Sequence, residues 1–374
     1  MAVLTDEQVM LKDMAQNWVQ DQSPVTAFRK MRDSGVEIAY DAAAWQQMAE
    51  MGLAGVIIPT DFGGSEFGYK SLGLVLEETG KTLTASPLIA SSLAAASALI
   101  LGGTQAQKAE WLPQIADGSK IATLAIDEGP RHAPEKVATT ATKDGEGWKL
   151  SGKKSMVLEG MATDLFVVSA RTGGQPGETD GIELFLVPAT VSGITREKLI
   201  LADSRGAANV SFDVTVTEEA RLEGGHALLE KVLDRARAGL AAEMLGAATQ
   251  AFDVTVEYLK VREQFGHVIG AFQALQHRAA KMLRDLELAR SAVQFALEAI
   301  DADSDDVPEL VSIAKVKVGD TFHLISNEMV QMHGGIGMTD AHDAGFYLKR
   351  ARAAEALFGN QSYHRDRFAR LQGY

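Results

Sequence analysis

The chain has 374 residues, 50 of them acidic and 36 basic, no cysteine, and a formal net charge of −14. Without cysteine there is no disulfide, thiolate metal site or thiol nucleophile. So acidic a chain also lacks the concentrated lysine and arginine that nucleic acid demands, although a few local cations suffice for a small anion such as a pyrophosphate. No run of about 18 apolar residues is present, so no membrane span is expected, and the eight histidines show no metal spacing such as HExxH. The start lacks the basic-then-apolar layout of a secretory signal, and a cytoplasmic location is the simplest expectation.

In chain order, residues 1 to about 120 read as helical. Thr5-Asp6-Glu7 caps a stretch over 1–21 with Met10, Met14 and Trp18 on one helical face. Trp45, Met48 and Met51 recur at helical spacing as core positions and stop at Gly52. Pro59-Thr60-Asp61-Phe62-Gly63-Gly64 reads as a loop, and Leu72 to Gly80 and Pro87 to Leu101 as two further helices. The texture changes near Lys120. Short β-branched runs at Ile121–Ile126, Val137–Thr142, Trp148–Ser151, Leu165–Ala170, Ile182–Pro188 and Val210–Val216 alternate with glycine-rich turns, which predicts a β domain. From about Leu222 the pattern returns to long helices over 226–261, 270–300 and 307–333 and a last segment from about 340, as in an antiparallel bundle. The expected domains are 1–120 (helical), 121–221 (β) and 222–374 (helical bundle). Composition and periodicity alone give an α+β chain in three segments.

Four strings, in this order, resemble the acyl-CoA dehydrogenase family over essentially the whole chain. They are Glu50-Met51-Gly52-Leu53 followed by Pro59 and Phe62-Gly63-Gly64; Trp111-Leu112-Pro113 with Gly118; Val261-Arg262-Glu263-Gln264-Phe265-Gly266 with Phe272-Gln273; and Gln331-Met332-His333-Gly334-Gly335-Ile336-Gly337. The resemblance implies a helical N-domain, a middle β barrel and a C-terminal four-helix bundle, assembled as a tetramer. It implies FAD as cofactor and α,β-dehydrogenation of an acyl-CoA thioester as activity, with an electron-transferring flavoprotein as the usual acceptor.

In that family one FAD spans two subunits, and the resemblance divides the site. The trans half is intact here. Arg262 matches the arginine at the pyrophosphate, Phe265 the residue near the adenine, and Gln331 and Gly335 a glutamine and a close-approach glycine, with Gln264 and Gly334 in the same strings. The cis half departs from the pattern. Asp127-Glu128-Gly129-Pro130-Arg131-His132-Ala133-Pro134 replaces a Thr-Glu-Pro string leading to Gly-Ser-Asp, and Leu158 replaces a threonine that hydrogen-bonds the flavin. Asp127 places a carboxylate where a neutral hydroxyl is usual.

The reaction removes an α-proton while a hydride leaves Cβ, and the proton needs a base, usually a buried carboxylate. The two family positions for it match Phe358 and Ala236, neither of which accepts a proton. Glu243, seven residues after Ala236 and so about 10 Å further along the same helical face, is the one substitute weighed, against the plainer reading of a glutamate paired with an arginine or a helix end. Three readings stay open. The chain is a helper subunit of a heteromeric FAD-dependent dehydrogenase, resembling the base-less chains of bacterial enzymes that act on bulky acyl-CoAs such as sterol side-chain thioesters. Or it is a self-sufficient homotetramer with a relocated base or with a lyase-like or desulfinase-like reaction. Or it is a flavin-free scaffold or binding protein.

Overall fold

In the computed structural model, which describes residues 4–374, the chain order is α1 (Asp6–Gln22), α2 (Val25–Ser34), α3 (Ala42–Glu50), α4 (Gly68–Lys81), α5 (Ala96–Gly102) and α6 (Gln105–Ala116). Strands follow: β1 (Ala122–Ala125), β2 (Thr140–Asp144), β3 (Gly147–Leu158), β4 (Leu165–Arg171), β5 (Ile182–Pro188), β6 (Ile194–Lys198) and β7 (Ala207–Thr217). The chain then runs through α7 (Gly225–Val261), a hairpin of β8 (Glu263–Gln264) and β9 (His267–Val268), α8 (Gln273–Asp301), α9 (Val307–His333), α10 (Ala344–Ala356) and α11 (Gln361–Leu371). The expected order of helical, β and helical segments is the observed one. The first three residues of the helix expected over 1–21 lie outside the described residues. Among the described residues no helix is long and apolar enough to cross a membrane.

Two compact units emerge. One comprises the residues up to Arg29, Tyr69–Thr84 and Arg237–Tyr374; the other comprises Lys30–Gly68 and Ala85–Ala236.

The first unit is helical. Thr5 and Gln8 form a reciprocal capping box at the start of α1. The buried stripe of α1 is Leu11, Ala15, Trp18 and Val19, while Met10 is 71% exposed, so of the expected face only Trp18 is core. α9 packs against α8, α10 and α11. The tightest contact is between α4 and α7. A Cβ at Gly246 would lie 1.8 Å from the Glu77 carbonyl oxygen, and one at Gly80 would lie 2.1 Å from that of Glu243. Only glycine lets two backbones come this close. Ion pairs flank the crossing: Arg290 with Glu77 (2.6 Å) and Arg350 with Glu243 (2.8 Å), with Glu78 held by Lys81 (2.8 Å). Charges this deep persist only when paired. The segment expected as one helix from about 340 is two. It breaks between Ala356 and Gln361, where Phe358 and Gly359 take positive φ (+55° and +101°) and the Asn360 side chain caps α11 by accepting from Tyr363 N.

The second unit is built on a seven-stranded sheet in the order β1-β4-β2-β3-β7-β6, with β5 paired to β4. It is curled around a core that includes Trp148, Leu150, Phe166, Phe185, Val187, Phe212 and Val214. β7 shows why its residues make a strand. Ala208, Val210, Phe212, Val214 and Val216 alternate inward while Asp213, Thr215 and Thr217 face out. β4 is buried at every residue and is apolar but for Ser169 and Arg171, as a strand covered on both faces requires. The sequence misplaces one strand, truncates another and misses a third. β2 lies at 140–144 rather than 137–142. β3 runs on to Leu158, past the expected end at Ser151, with a charged side chain, Lys154, in an interior position that breaks the apolar pattern. β6 is an edge strand with little apolar content. Pro87–Leu101, expected as one helix, opens with a π-helical stretch, Leu88–Ala95, before α5.

Gly246→Ala forces a methyl group into the Glu77 carbonyl. Overpacking of this kind costs about 1–3 kcal/mol or more, so the thermal midpoint of the purified protein falls by several degrees. An unchanged midpoint would show that the α4–α7 crossing is not as tight as described.

Candidate functional site

Of the two base positions implied by the resemblance, Ala236 is fully buried on α7. Phe358 is buried in the turn between α10 and α11, and its surroundings in the first unit are unusual. Its carbonyl oxygen accepts from Arg237 Nε (3.2 Å) and from His364 Nε2 (3.1 Å). Lys315 Nζ donates to the carbonyls of Leu357, one residue earlier (3.0 Å), and Ala354, four earlier (3.1 Å), free acceptors at the end of α10. Arg237 also donates to the Tyr363 hydroxyl (3.1 Å). A Cβ at Gly359 would lie 2.4 Å from the Tyr363 ring, so glycine is required there. His364 donates through Nε2, which leaves its buried Nδ1 without a hydrogen-bond partner among the described residues. Burial, with the cations Arg237, Lys315 and Arg367 around it, pushes this imidazole down to about 2, so it is neutral. Two buried cations, Arg237 and Lys315, and a neutral histidine therefore clamp the backbone of this turn, while the buried Arg367 nearby donates to Pro308 O and Ser312 Oγ. Sequence reasoning missed all of them, because no short string joins them to the position they serve.

Glu243 is the only carboxylate the sequence offered as a substitute base. It is buried and paired with the buried Arg350 guanidinium, and the backbone at Glu243 is the one pressed against Gly80. That is the plainer of its two readings.

The candidate cofactor residues lie at one end of the helical unit. Arg262 follows α7 directly, is exposed, and its side chain has no hydrogen bond or ion pair among the described residues. Phe265, at the tip of the β8–β9 hairpin with φ +56°, is 90% exposed, and its one ring contact among the described residues is edge-to-face with Phe272 (6.3 Å). Gln264 and Gln331 are exposed as well. At Gly334 and Gly335 a Cβ would meet nothing within 4 Å. The end of α7 and the glycine turn after α9 are joined by stacked rings of Tyr258 and His333, 4.3 Å apart. An uncommitted guanidinium, an open aromatic face and a bare backbone turn fit a pyrophosphate and a flat heterocycle.

The loop after β1 belongs to the second unit. Asp127 turns into its own loop, bonding His132 Nδ1 (2.9 Å) and Ala133 N (3.1 Å). Burial raises its carboxyl, but His132, Ala133 N and Lys154 outweigh that and hold it below the usual range. The charge noted from sequence thus has a local partner that sequence reading did not supply. Glu128 accepts from Ala138 N, Thr139 N and Lys154 Nζ (2.7 Å) and so ties the loop's far end back. The buried Lys154 also donates to Ile126 O and Ser169 Oγ, and burial pushes it down to about 8. Leu158 is buried, and its carbonyl accepts from Thr123. Among the described residues no group of three or more acidic or histidine side chains could hold a metal.

Models of the N-terminal, middle and C-terminal domains of acyl-CoA dehydrogenases match residues 5–119, 127–214 and 223–372. The short/branched chain specific acyl-CoA dehydrogenase of Bos taurus mitochondria is 29% identical, over 98% of this chain and 85% of its own. A variant of the steroid acyl-CoA dehydrogenase Tcur3481–Tcur3483 superposes with a TM-score of 0.90 at 31% identity, covering 98% of each chain. The ChsE4–ChsE5 complex of Mycobacterium tuberculosis superposes with a TM-score of 0.91 at 25% identity, covering 100% of each chain.

The buried His364 makes stability sensitive to acid. Its folded value lies far below the ordinary 6.5, so the unfolded chain takes up the proton first. The contribution is full above that ordinary value and is lost as pH falls below it, by about 1.4 kcal/mol per pH unit. His364→Gln keeps an N–H donor but cannot ionise. Its stability, followed by denaturant unfolding, should fall less than that of the wild type between pH 6.5 and 5, by about 2 kcal/mol. Parallel pH profiles would contradict a neutral, buried His364.

Proposed function

The chain belongs to the acyl-CoA dehydrogenase family, and on that premise we propose that it is the base-less subunit of a heteromeric dehydrogenase, completing the flavin site of a partner chain. The family is FAD-dependent and the fold is that of its oxidoreductases. One observation carries the proposal. Both positions at which the family keeps its base hold side chains that cannot accept a proton, Phe358 and Ala236, while the nearest substitute, Glu243, is committed to Arg350.

FAD, when bound, supplies the acceptor for the hydride that leaves the acyl Cβ. This chain's part is to bind and orient. Arg262 would hold the pyrophosphate through a charge-assisted hydrogen bond, Phe265 would cover the adenine, and Gln264, Gln331 and the Gly334–Gly335 turn would border the same group. On the cis side Leu158 offers no hydrogen bond to an isoalloxazine, which fits a chain that does not run its own chemistry. Two of the similar solved structures carry paired subunit names, and one is a steroid enzyme. A heterotetramer acting on a bulky acyl-CoA, with an electron-transferring flavoprotein as acceptor, is the corresponding assembly. The division into domains at about 120 and 221 belongs to the same proposal.

Loss of a general base typically costs about 10²–10⁴-fold in rate. The purified chain, assayed alone with short, branched and steroid-like acyl-CoAs and an artificial acceptor, should therefore show turnover lower by that factor than the assembly with its co-expressed dehydrogenase partner. Phe358→Glu should recover little of it, because the cis side stays unsuited to flavin. Turnover by the chain alone at ordinary enzyme rates, about 1–10³ per second, would overturn the proposal and favour a self-sufficient enzyme.

A further inference from the structure

His333 stands inside a string that carries the family resemblance, yet nothing assigned to the site uses it. It ends α9 and is 3% exposed. Its Nδ1 donates to the Met329 carbonyl (2.7 Å), one of the acceptors left free at the end of a helix, and its Nε2 is buried without a hydrogen-bond partner among the described residues. Two rings pack against it. Tyr258, from α7, stacks at 4.3 Å and 29°, and its hydroxyl makes a long bond to the His333 carbonyl (3.5 Å). His342, from the segment before α10, lies at 4.4 Å and 46°.

Each neighbour reaches further. The Tyr258 carbonyl accepts from Arg262 N (2.9 Å), so Tyr258 sits one turn before the exposed arginine. His342 Nδ1 accepts from Ala344 N at the start of α10, and the adjacent Asp340 and Asp343 are paired with Arg29 (3.3 and 2.7 Å). On the other side, His333 is followed directly by Gly334 and Gly335. The ring thus lies at the junction of the two strings that sequence order keeps about 70 residues apart.

We propose that His333 is a positioning residue: its ring, packed by Tyr258 and His342, holds the end of α7 that presents Arg262 in register with the Gly334–Gly335 turn, so that both meet one dinucleotide. This rests on the assignment of those residues to FAD. An imidazole suits the role because it offers a flat face for stacking and an N–H for the Met329 carbonyl, which an aliphatic side chain lacks. Burial lowers its proton affinity, the bond to Met329 raises it, and His342 lowers it again, with a net displacement below the usual 6.5. The groups that face it are the Tyr258 ring from α7, the His342 ring with Asp340, Asp343 and Arg29 behind it, and the Met329 carbonyl of its own helix. The junction is therefore intact above the ordinary histidine value, and acid loosens it by placing a second proton on the buried Nε2.

The test compares His333→Ala, His333→Phe and Arg262→Ala in the assembly formed with the co-expressed partner. Backbone hydrogen exchange reads the junction, and quenching of flavin fluorescence on adding FAD to the stripped protein reads affinity. His333→Ala should speed exchange in 262–268 and 334–338 together, leave the β sheet unchanged, and weaken FAD by about tenfold or more, the size expected for a lost charge-assisted contact. His333→Phe keeps a flat face but cannot ionise. It should speed exchange less than His333→Ala, since the stacked face remains although the N–H to the Met329 carbonyl is lost, and flatten the loss of FAD between pH 7 and 5. Exchange that rises only in 334–338, or FAD affinity unchanged in His333→Ala while Arg262→Ala loses it, overturns the positioning role. If Arg262→Ala also leaves FAD unchanged while both segments still loosen in His333→Ala, the junction stands and the cofactor assignment fails.

Discussion

The backbones of α4 and α7 meet at Gly80 and Gly246 with no side chain between them, and much of the helical unit follows from that contact. With the helices so close, the acids on their facing surfaces cannot reach water and must be neutralised in place. Glu77 takes Arg290, Glu78 takes Lys81, and Glu243 takes Arg350. Breaking any one of these pairs leaves a buried charge uncompensated, which typically costs about 3–5 kcal/mol. Glu243 is thus bound by backbone and side chain alike to a structural task. A residue under those constraints is poorly placed to collect and release protons during turnover.

The same reasoning applies where α10 gives way to α11. A catalytic carboxylate at position 358 would require a turn free to aim it at a substrate. Here the main-chain carbonyls of Ala354, Leu357 and Phe358 are instead spent on Lys315, Arg237 and His364. Positive φ at Phe358 and Gly359 fixes the reversal, and the cations find their acceptors in the main chain. The turn is therefore stable without an acid at its apex.

Where local pattern and tertiary environment agree, the sequence is legible. The alternation of Val210, Phe212, Val214 and Val216, the burial of Trp45 and Met48 and the cap at Thr5 all read directly. Legibility fails where a buried polar residue breaks the pattern. Lys154 occupies a core position of β3 and hides that strand's second half, since its ammonium is satisfied by Ile126, Glu128 and Ser169, which lie far from it in the chain. The break near 358 carries no proline, and β6 has almost no apolar face to betray it. Of the candidate site, the exposed residues Arg262, Phe265, Gly334 and Gly335 could be named because short strings carry them. The pairing of His333 with Tyr258, and in the other unit that of His132 with Asp127, became visible only once the chain was folded, because such pairs are set by packing and not by spacing.

The proposal thus assigns the chain half of a cofactor site: open, cationic and aromatic on the side that would serve a neighbour, and without a flavin hydrogen-bond donor at Leu158 on the side that would serve itself. Flavin content tests this most directly. Absorbance near 450 nm, calibrated against protein, should give little or no FAD for the chain purified alone and about half an equivalent per chain in an assembly with its dehydrogenase partner, as one two-subunit site per catalytic chain requires. One equivalent of FAD per chain in the isolated protein, retained whether or not a partner is present, would contradict the account.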